Sequence, residues 1–209
     1  MSCSPSLNRS ILSPVAADAW NLVRFAHPPE AENNEMKNSV SLEKLKCIEL
    51  LLLDVDGVLT DGAIIYSDDG SETKIFNVKD GLGLKLVMEA GIRVGIVTGR
   101  ISPALDHRCR DLGIRYVFEG IQDKAKILEK IAKQTGVAPE HTAYIGDDLP
   151  DLSLMRRVKL SIAVADAHKT VLENADWTTS AAGGCGAVRE VCEALLKARG
   201  EWEKLIDQF

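Results

Sequence analysis

Four consecutive leucines, Leu50 to Leu53, run straight into Asp54-Val55-Asp56-Gly57. An uninterrupted apolar run of this length, closed by an acid and a glycine, predicts a strand buried on both faces. An open α/β sheet puts its chemistry at the carboxyl ends of such strands. Side chains alternate along a strand, so Asp54 and Asp56 point to the same side. Two acids on one side of a strand tip are costly unless a cation or a proton compensates them. A solvated Asp-Gly turn is the plainer explanation, and the buried approach to Asp54 argues against it.

The rest of the chain supplies the partners of that strand. Arg93–Val97, Tyr116–Phe118, Thr142–Ile145 and Leu160–Val164 predict four more strands. Helices are expected over about 80–90, Pro103–Leu112, Asp123–Gln134, Pro150–Met155 and 187–198, several stopped by a glycine. Ala63–Tyr66 and Thr73–Asn77 flank Ser67-Asp68-Asp69-Gly70, the pattern of a β-hairpin. Strands alternating with helices give right-handed βαβ units, hence an α/β, three-layer, Rossmann-like fold with a parallel sheet and a protruding β-hairpin at about 62–77. At 209 residues and 45% hydrophobic content, one domain of this kind is expected. It is placed at 41–209. Residues 1–40, rich in Ser, Pro, Asn and Glu, are expected to be a disordered or loosely packed N-terminal extension. Met36 is a candidate start just before the patterned region.

Several function classes are disfavoured. The net charge of −6 argues against nucleic acid as partner. No apolar run approaches the roughly 20 residues of a membrane span. No basic start leads into a long apolar region, so no secretory signal is read. The five cysteines form no CxxC pair or zinc spacing, which suits free thiols in a reducing compartment. A cytoplasmic location is the expectation.

Three strand ends carry unusual polar residues: Asp54/Asp56, Thr98 and Asp147/Asp148. A parallel sheet brings them to one edge. Asp54 and Asp147 together can hold Mg2+, which favours one or two carboxylates plus waters and a substrate phosphate. A carboxylate beside that cation can attack phosphorus, and a second acid can move the protons. Thr98 offers a hydroxyl and Lys124 a cation for the equatorial oxygens. Taken singly, these residues also suit a turn, a solvated lysine and a helix cap. Four such signals in order at the strand ends favour phosphoryl transfer.

Asp54-x-Asp56-Gly57-Val58, Thr98-Gly99-Arg100, Lys124 and Gly146-Asp147-Asp148-x-x-Asp151 resemble the four motifs of the haloacid dehalogenase (HAD) phosphatase superfamily. Leu59–Gly62, Phe76–Gly81, Ala163–His168 and Gly183–Cys192 are similar to one family within it, the 3-deoxy-D-manno-octulosonate 8-phosphate (KDO 8-phosphate) phosphatases. The resemblance spans about residues 45–198. It implies Asp54 as nucleophile and Mg2+ ligand, and Asp56 as general acid/base that lends the metal its backbone carbonyl. Asp147 is implied as the third protein ligand, with Asp148 and Asp151 supporting the metal shell. Thr98 and Lys124 would hold the phosphoryl group. Substrate contacts would fall on Asp56, Asn77, Val78, Lys79, Asp80, Gly81, Lys85, Arg100, Arg108 and Lys124. Lys79, Lys85 and Cys185 stand where the family usually or often has arginine, and Lys lacks the two-pronged fork. A nonulosonate 9-phosphate would need a similar site and remains the alternative substrate.

About 30 residues separate the first motif from the next sheet strand, too few for a cap domain. An open pocket would admit water. The apolar hairpin residues Ile64, Ile65, Tyr66, Ile75 and Phe76 are costly to leave exposed. Packing of hairpins between subunits answers both problems, and the resemblance implies a homotetramer. Two rival readings are a phosphotransferase or mutase, and a non-catalytic module partnering a sugar-nucleotide synthetase. The missing cap speaks against the first, and the complete motif set against the second.

Overall fold

The structure is a computed structural model that describes residues 40–209. The expectations for the extension before them lie outside the described residues. A short helix, α1 (Leu42–Lys46), leads into β1 (Leu50–Leu53). The hairpin follows as β2 (Ile65–Tyr66) and β3 (Glu72–Thr73), then α2 (Val78–Glu89) and β4 (Arg93–Val97). Next come α3 (Pro103–Leu112), β5 (Tyr116–Phe118), α4 (Leu128–Thr135) and β6 (Thr142–Gly146). The chain continues through α5 (Leu152–Met155), β7 (Leu160–Ala163), α6 (Lys169–Asn174), β8 (Trp177–Thr178), α7 (Ala187–Arg199) and α8 (Trp202–Ile206).

Six strands form one parallel sheet in the order β5-β4-β1-β6-β7-β8. β1 is central, with Leu50 paired to Arg93 and Thr142, and Leu53 to Ile96 and Ile145. All four leucines are fully buried. That explains their uniform apolarity: a strand with neighbours on both edges and helices over both faces has no polar side to present. The chain steps outward from β1 to β4 and β5, then returns to β6 on the other side of β1. The winding reverses there, so the carboxyl ends of β1 and β6 flank a crevice. Asp54 follows β1 and Asp147 follows β6 directly. The α/β class, the parallel sheet and the hairpin agree with the sequence expectation.

Several local expectations need correction. The helix expected from Asp123 starts only at Leu128. Asp123 instead accepts from the Ala125 amide at 3.1 Å, and the turn that follows drops Lys124 into the interior. α2 starts two residues early because Asn77 caps it, accepting from Lys79 N at 2.8 Å. That cap also takes Asn77 out of the hairpin, whose strands are only two residues each. The strands β8 and the helices α1, α6 and α8 were not expected. They are too short for periodicity to reveal.

Candidate active site

Asp54 is the first residue beyond β1, and its amide still donates to Ile145 O of β6 at 3.0 Å. Its carboxylate is therefore fixed at the crevice. Oδ1 accepts from the Val55 amide at 2.7 Å, and Oδ2 lies 2.7 Å from Lys124 Nζ. Lys124 is buried, and its ammonium also reaches Asp151 Oδ1 at 2.6 Å and Tyr144 Oη at 3.0 Å. Asp151 is wholly consumed. Oδ1 takes Lys124 and Tyr144, while Oδ2 accepts from the amides of Asp147 and Asp148 at 2.9 and 3.2 Å. A carboxylate has about four acceptor sites, so Asp151 has none left for an ion.

Asp54, Asp147 and Asp151 each present an oxygen within 4.8 Å of the others. With Asp151 filled, Asp54 and Asp147 are the free donors of this cluster. Asp147 Oδ1 is buried without a hydrogen-bond partner among the described residues. The crowding is electrostatic as well as steric. Burial, then the charge of Asp151, pushes Asp54 up to about 6 against the pull of Lys124. Burial, then Asp151 and Asp54, pushes Asp147 up to about 7. Burial opposes the charge on Lys124, but Asp54 and Asp151 outweigh it and raise its pKa. Two hard oxygen donors that resist ionising together, one with an unmet acceptor, fit a divalent cation of the Mg2+ kind.

Two glycines make the crevice possible. A Cβ on Gly57 would fall 2.0 Å from Asp147 Oδ2, and its φ of +85° is left-handed. A Cβ on Gly183 would fall 1.8 Å from Gly57 O, so the glycine-rich tail lies backbone to backbone on the loop after β1. Gly184 N donates to Val58 O at 2.9 Å, and Asp166 holds Gly183 N at 2.9 Å.

A cavity of about 480 Å³ is lined by Asp54, Asp56, Thr98, Arg100, Lys124 and Asp147, with Asp148 among its other neighbours. Thr98 is buried at the end of β4, where its Oγ1 accepts from Arg100 N at 3.3 Å. The Asp56 side chain meets the hairpin and Arg100 at the same cavity. Oδ1 contacts Lys74 Nζ, and Oδ2 is 3.4 Å from Arg100 Nε without a hydrogen bond. The structure thus brings together the residues of all four motifs.

A family model described as haloacid dehalogenase-like hydrolase matches residues 117–190. The 3-deoxy-D-manno-octulosonate 8-phosphate phosphatase KdsC of Escherichia coli (strain K12) is 45% identical over 163 residues, 78% of this chain and 87% of that protein. This chain belongs to the KDO 8-phosphate phosphatase family of HAD-like hydrolases. Among solved family members, the Moraxella catarrhalis phosphatase in complex with magnesium, phosphate and KDO is 44% identical. The match covers 80% of this chain and 97% of that one, with a TM-score of 0.78. The cobalt-bound phosphatase of Haemophilus influenzae is 45% identical over 76% of this chain and 93% of its own, with a TM-score of 0.74.

The other residues that the family resemblance nominates lie on α2 and α3, outside the lining of this cavity. Asn77 donates to Gly184 O at 3.1 Å, and its carbonyl accepts from Arg108 Nη2 at 3.0 Å. Arg108 also stacks on Phe76, 5.7 Å from the ring centre, and fills the space beside Gly81. Val78, Lys79 and Lys85 are exposed. Asp80 does not face solvent or the cavity. It is buried and accepts from the Arg189 amide at 2.7 Å, capping the start of α7. Burial raises its pKa. Three contributors escaped the sequence reading. Lys74 and Glu72 looked like ordinary hairpin surface. Tyr144 looked like core, and its only signal was a hydroxyl inside an otherwise apolar buried strand.

Proposed function

We propose that this protein is a Mg2+-dependent phosphatase that converts KDO 8-phosphate to KDO and phosphate through an aspartyl-phosphate on Asp54. The observation that carries the reading is Asp54 itself: a carboxylate at the central strand tip, between the Lys124 ammonium and the unsatisfied Asp147, opening on the cavity. Residues 41–209 are the catalytic unit in this proposal. Asp54, Asp147 and the backbone carbonyl of Asp56 hold Mg2+, which neutralises phosphoryl charge when bound.

The chain's own groups do the rest. Lys124 and Thr98 bind the equatorial phosphoryl oxygens and align phosphorus with Asp54. An Asp54 oxygen attacks phosphorus, and the bond from phosphorus to the sugar oxygen breaks. Asp56 gives that leaving oxygen a proton. The Asp56 carboxylate then removes a proton from water, whose oxygen attacks phosphorus. The bond to Asp54 breaks, releasing phosphate and restoring both acids. Arg100 faces the cavity and supplies charge for the sugar carboxylate. Lys79, Lys85 and Arg108, with Asn77, Val78 and Gly81, complete the substrate contacts from the α2 side, and Asp80 holds that side in place against α7.

Ile64, Ile65, Tyr66, Ile75, Val78 and Ile101 leave large apolar surface exposed in one chain. That surface supports a homotetramer joined through the hairpins. Among the described residues no helix is long and apolar enough to cross a membrane. We place the enzyme in the cytoplasm, where its thiols stay reduced.

The test is Mg2+-dependent phosphate release from KDO 8-phosphate, run beside a nonulosonate 9-phosphate and with Asp54→Asn as control. Preference for the eight-carbon substrate, lost in Asp54→Asn, supports the proposal. Preference for the nine-carbon acid keeps the mechanism and changes the substrate. No release from either rejects the reading.

A further inference from the structure

A second ionic cluster reaches the cavity from the hairpin. Lys74 has a side chain only 2% exposed, and its amine is buried among acids. Its anionic partners are Asp56 Oδ1, in direct contact, and Glu72 Oε1 at 3.2 Å. Glu72 is itself fixed. Its Oε1 accepts from Ser102 Oγ at 2.9 Å, and its Oε2 holds Arg100 Nη2. Tyr66 Oη takes the same Arg100 nitrogen at 3.1 Å. A buried ammonium is expensive unless paired, and here two carboxylates compensate it.

Asp56 is less constrained than its partner. It sits on the loop after β1, half-buried, and its Oδ2 has no hydrogen-bond partner among the described residues. Among the described residues the contact with Lys74 is the only hydrogen bond on its carboxylate, and Arg100 Nε stands 3.4 Å from Oδ2. A general acid must lie within hydrogen-bond reach of the atom it protonates, so its orientation matters as much as its acidity. We propose that Lys74 is a positioning residue for the proton transfers: it grips Oδ1 of Asp56 and leaves Oδ2 to face the leaving oxygen and then the attacking water. The inference rests on the reading of Asp56 as general acid/base. It gives the hairpin a part in catalysis within its own chain.

The test compares two substrates in Lys74→Met and Lys74→Gln. KDO 8-phosphate leaves as an alkoxide that needs a proton. p-Nitrophenyl phosphate leaves as a stable phenolate that does not. On KDO 8-phosphate, kcat is expected to fall about 10- to 100-fold with KM nearly unchanged. On p-nitrophenyl phosphate, a burst of one phenolate per active site is expected at close to the wild-type rate. Only release of phosphate from Asp54 then waits on Asp56. Lys74→Arg keeps the charge and the fold, so it should recover part of the turnover and show a smaller burst of the same sense. A p-nitrophenyl phosphate burst slowed as much as the turnover of KDO 8-phosphate, or a rise in KM at constant kcat, overturns the role of Lys74. An Asp56→Asn protein that keeps wild-type turnover overturns the acid/base reading itself, a failure distinct from the first.

Discussion

Lys124 Nζ lies 2.7 Å from Asp54 Oδ2, although the two residues come from different strand ends of the sheet. The pair sets the character of the site. Lys124 keeps one carboxylate of a crowded acid cluster ionised, and its own charge is secured by the buried Asp151. Removing Lys124 would leave Asp54 and Asp151 uncompensated, whereas removing the Asp54 charge leaves Lys124 paired with Asp151. Asp54→Asn is expected to abolish turnover by at least about 10³-fold, since the nucleophile acts as part of a unit. Its fold should persist, because the change also relieves repulsion with Asp147. Phosphate release and a thermal melt on the same sample check both statements.

The raised Asp54 and Asp147 make the metal-free protein sensitive to pH in a defined direction. Both ordinary values are 3.8, against about 6 and about 7 in the fold. As pH rises from about 4 to about 7, the unfolded chain releases these protons before the folded one does. Folded metal-free protein therefore loses stability across that window, and the loss is complete above about 7. Mg2+ compensates the exposed charge. The rise in Tm on adding Mg2+ should be larger at pH 8 than at pH 5, measured by calorimetry. An equal rise at both would contradict the raised values.

Gly57→Ala tests how tightly the crevice is built. The new Cβ would sit 2.0 Å from Asp147 Oδ2 on a backbone with φ of +85°. The loop or the carboxylate must move. A stability loss of about 2 kcal/mol or more is expected. Mg2+ affinity should fall with it, read by titration calorimetry.

Tyr144→Phe removes a hydroxyl that reaches both Lys124 and Asp151 in a fully buried place. The cost expected is about 1–3 kcal/mol, because the two ions each lose a partner that water cannot replace. Turnover should fall by less than about tenfold, as Asp54 still meets Lys124. Denaturant unfolding and steady-state kinetics separate the two effects.

The hairpin offers a test of assembly. Ile65→Asp with Ile75→Asp places charge on the exposed apolar face. Under the proposed hairpin-joined tetramer, light scattering should then report a smaller species for the variant than for the wild type, with the sheet and Mg2+ binding retained. A variant that still scatters as a tetramer would rule out the hairpin as the joint.

The sheet and its chemistry were legible because they rest on strong local signals. Leu50–Leu53, Arg93–Val97 and Thr142–Ile145 are short apolar runs that end in polar residues, and the parallel winding follows from their alternation with helices. Asp54, Thr98 and Asp147 are legible for the same reason, since each stands directly at a strand end. What was hidden depends on contacts between distant residues. Lys74 and Glu72 carry no local mark, and their meaning comes from Asp56 and Arg100. Asp80 was nominated as a substrate contact only through the family resemblance of the Phe76–Gly81 segment, and the packing of α2 on α7 turns it toward the Arg189 amide. The start of α4 was misjudged because Asp123 is a good cap, and the burial of Lys124 requires a turn instead.

The backbone contact between Gly57 and Gly183 ties the birth of activity to the end of synthesis. The loop that carries Asp56 rests on a segment made long after it, so a nascent chain can form β1 early and still lack a finished crevice. The crevice is complete only once the glycine-rich tail has docked on that loop, so the site joins chain segments more than 120 residues apart.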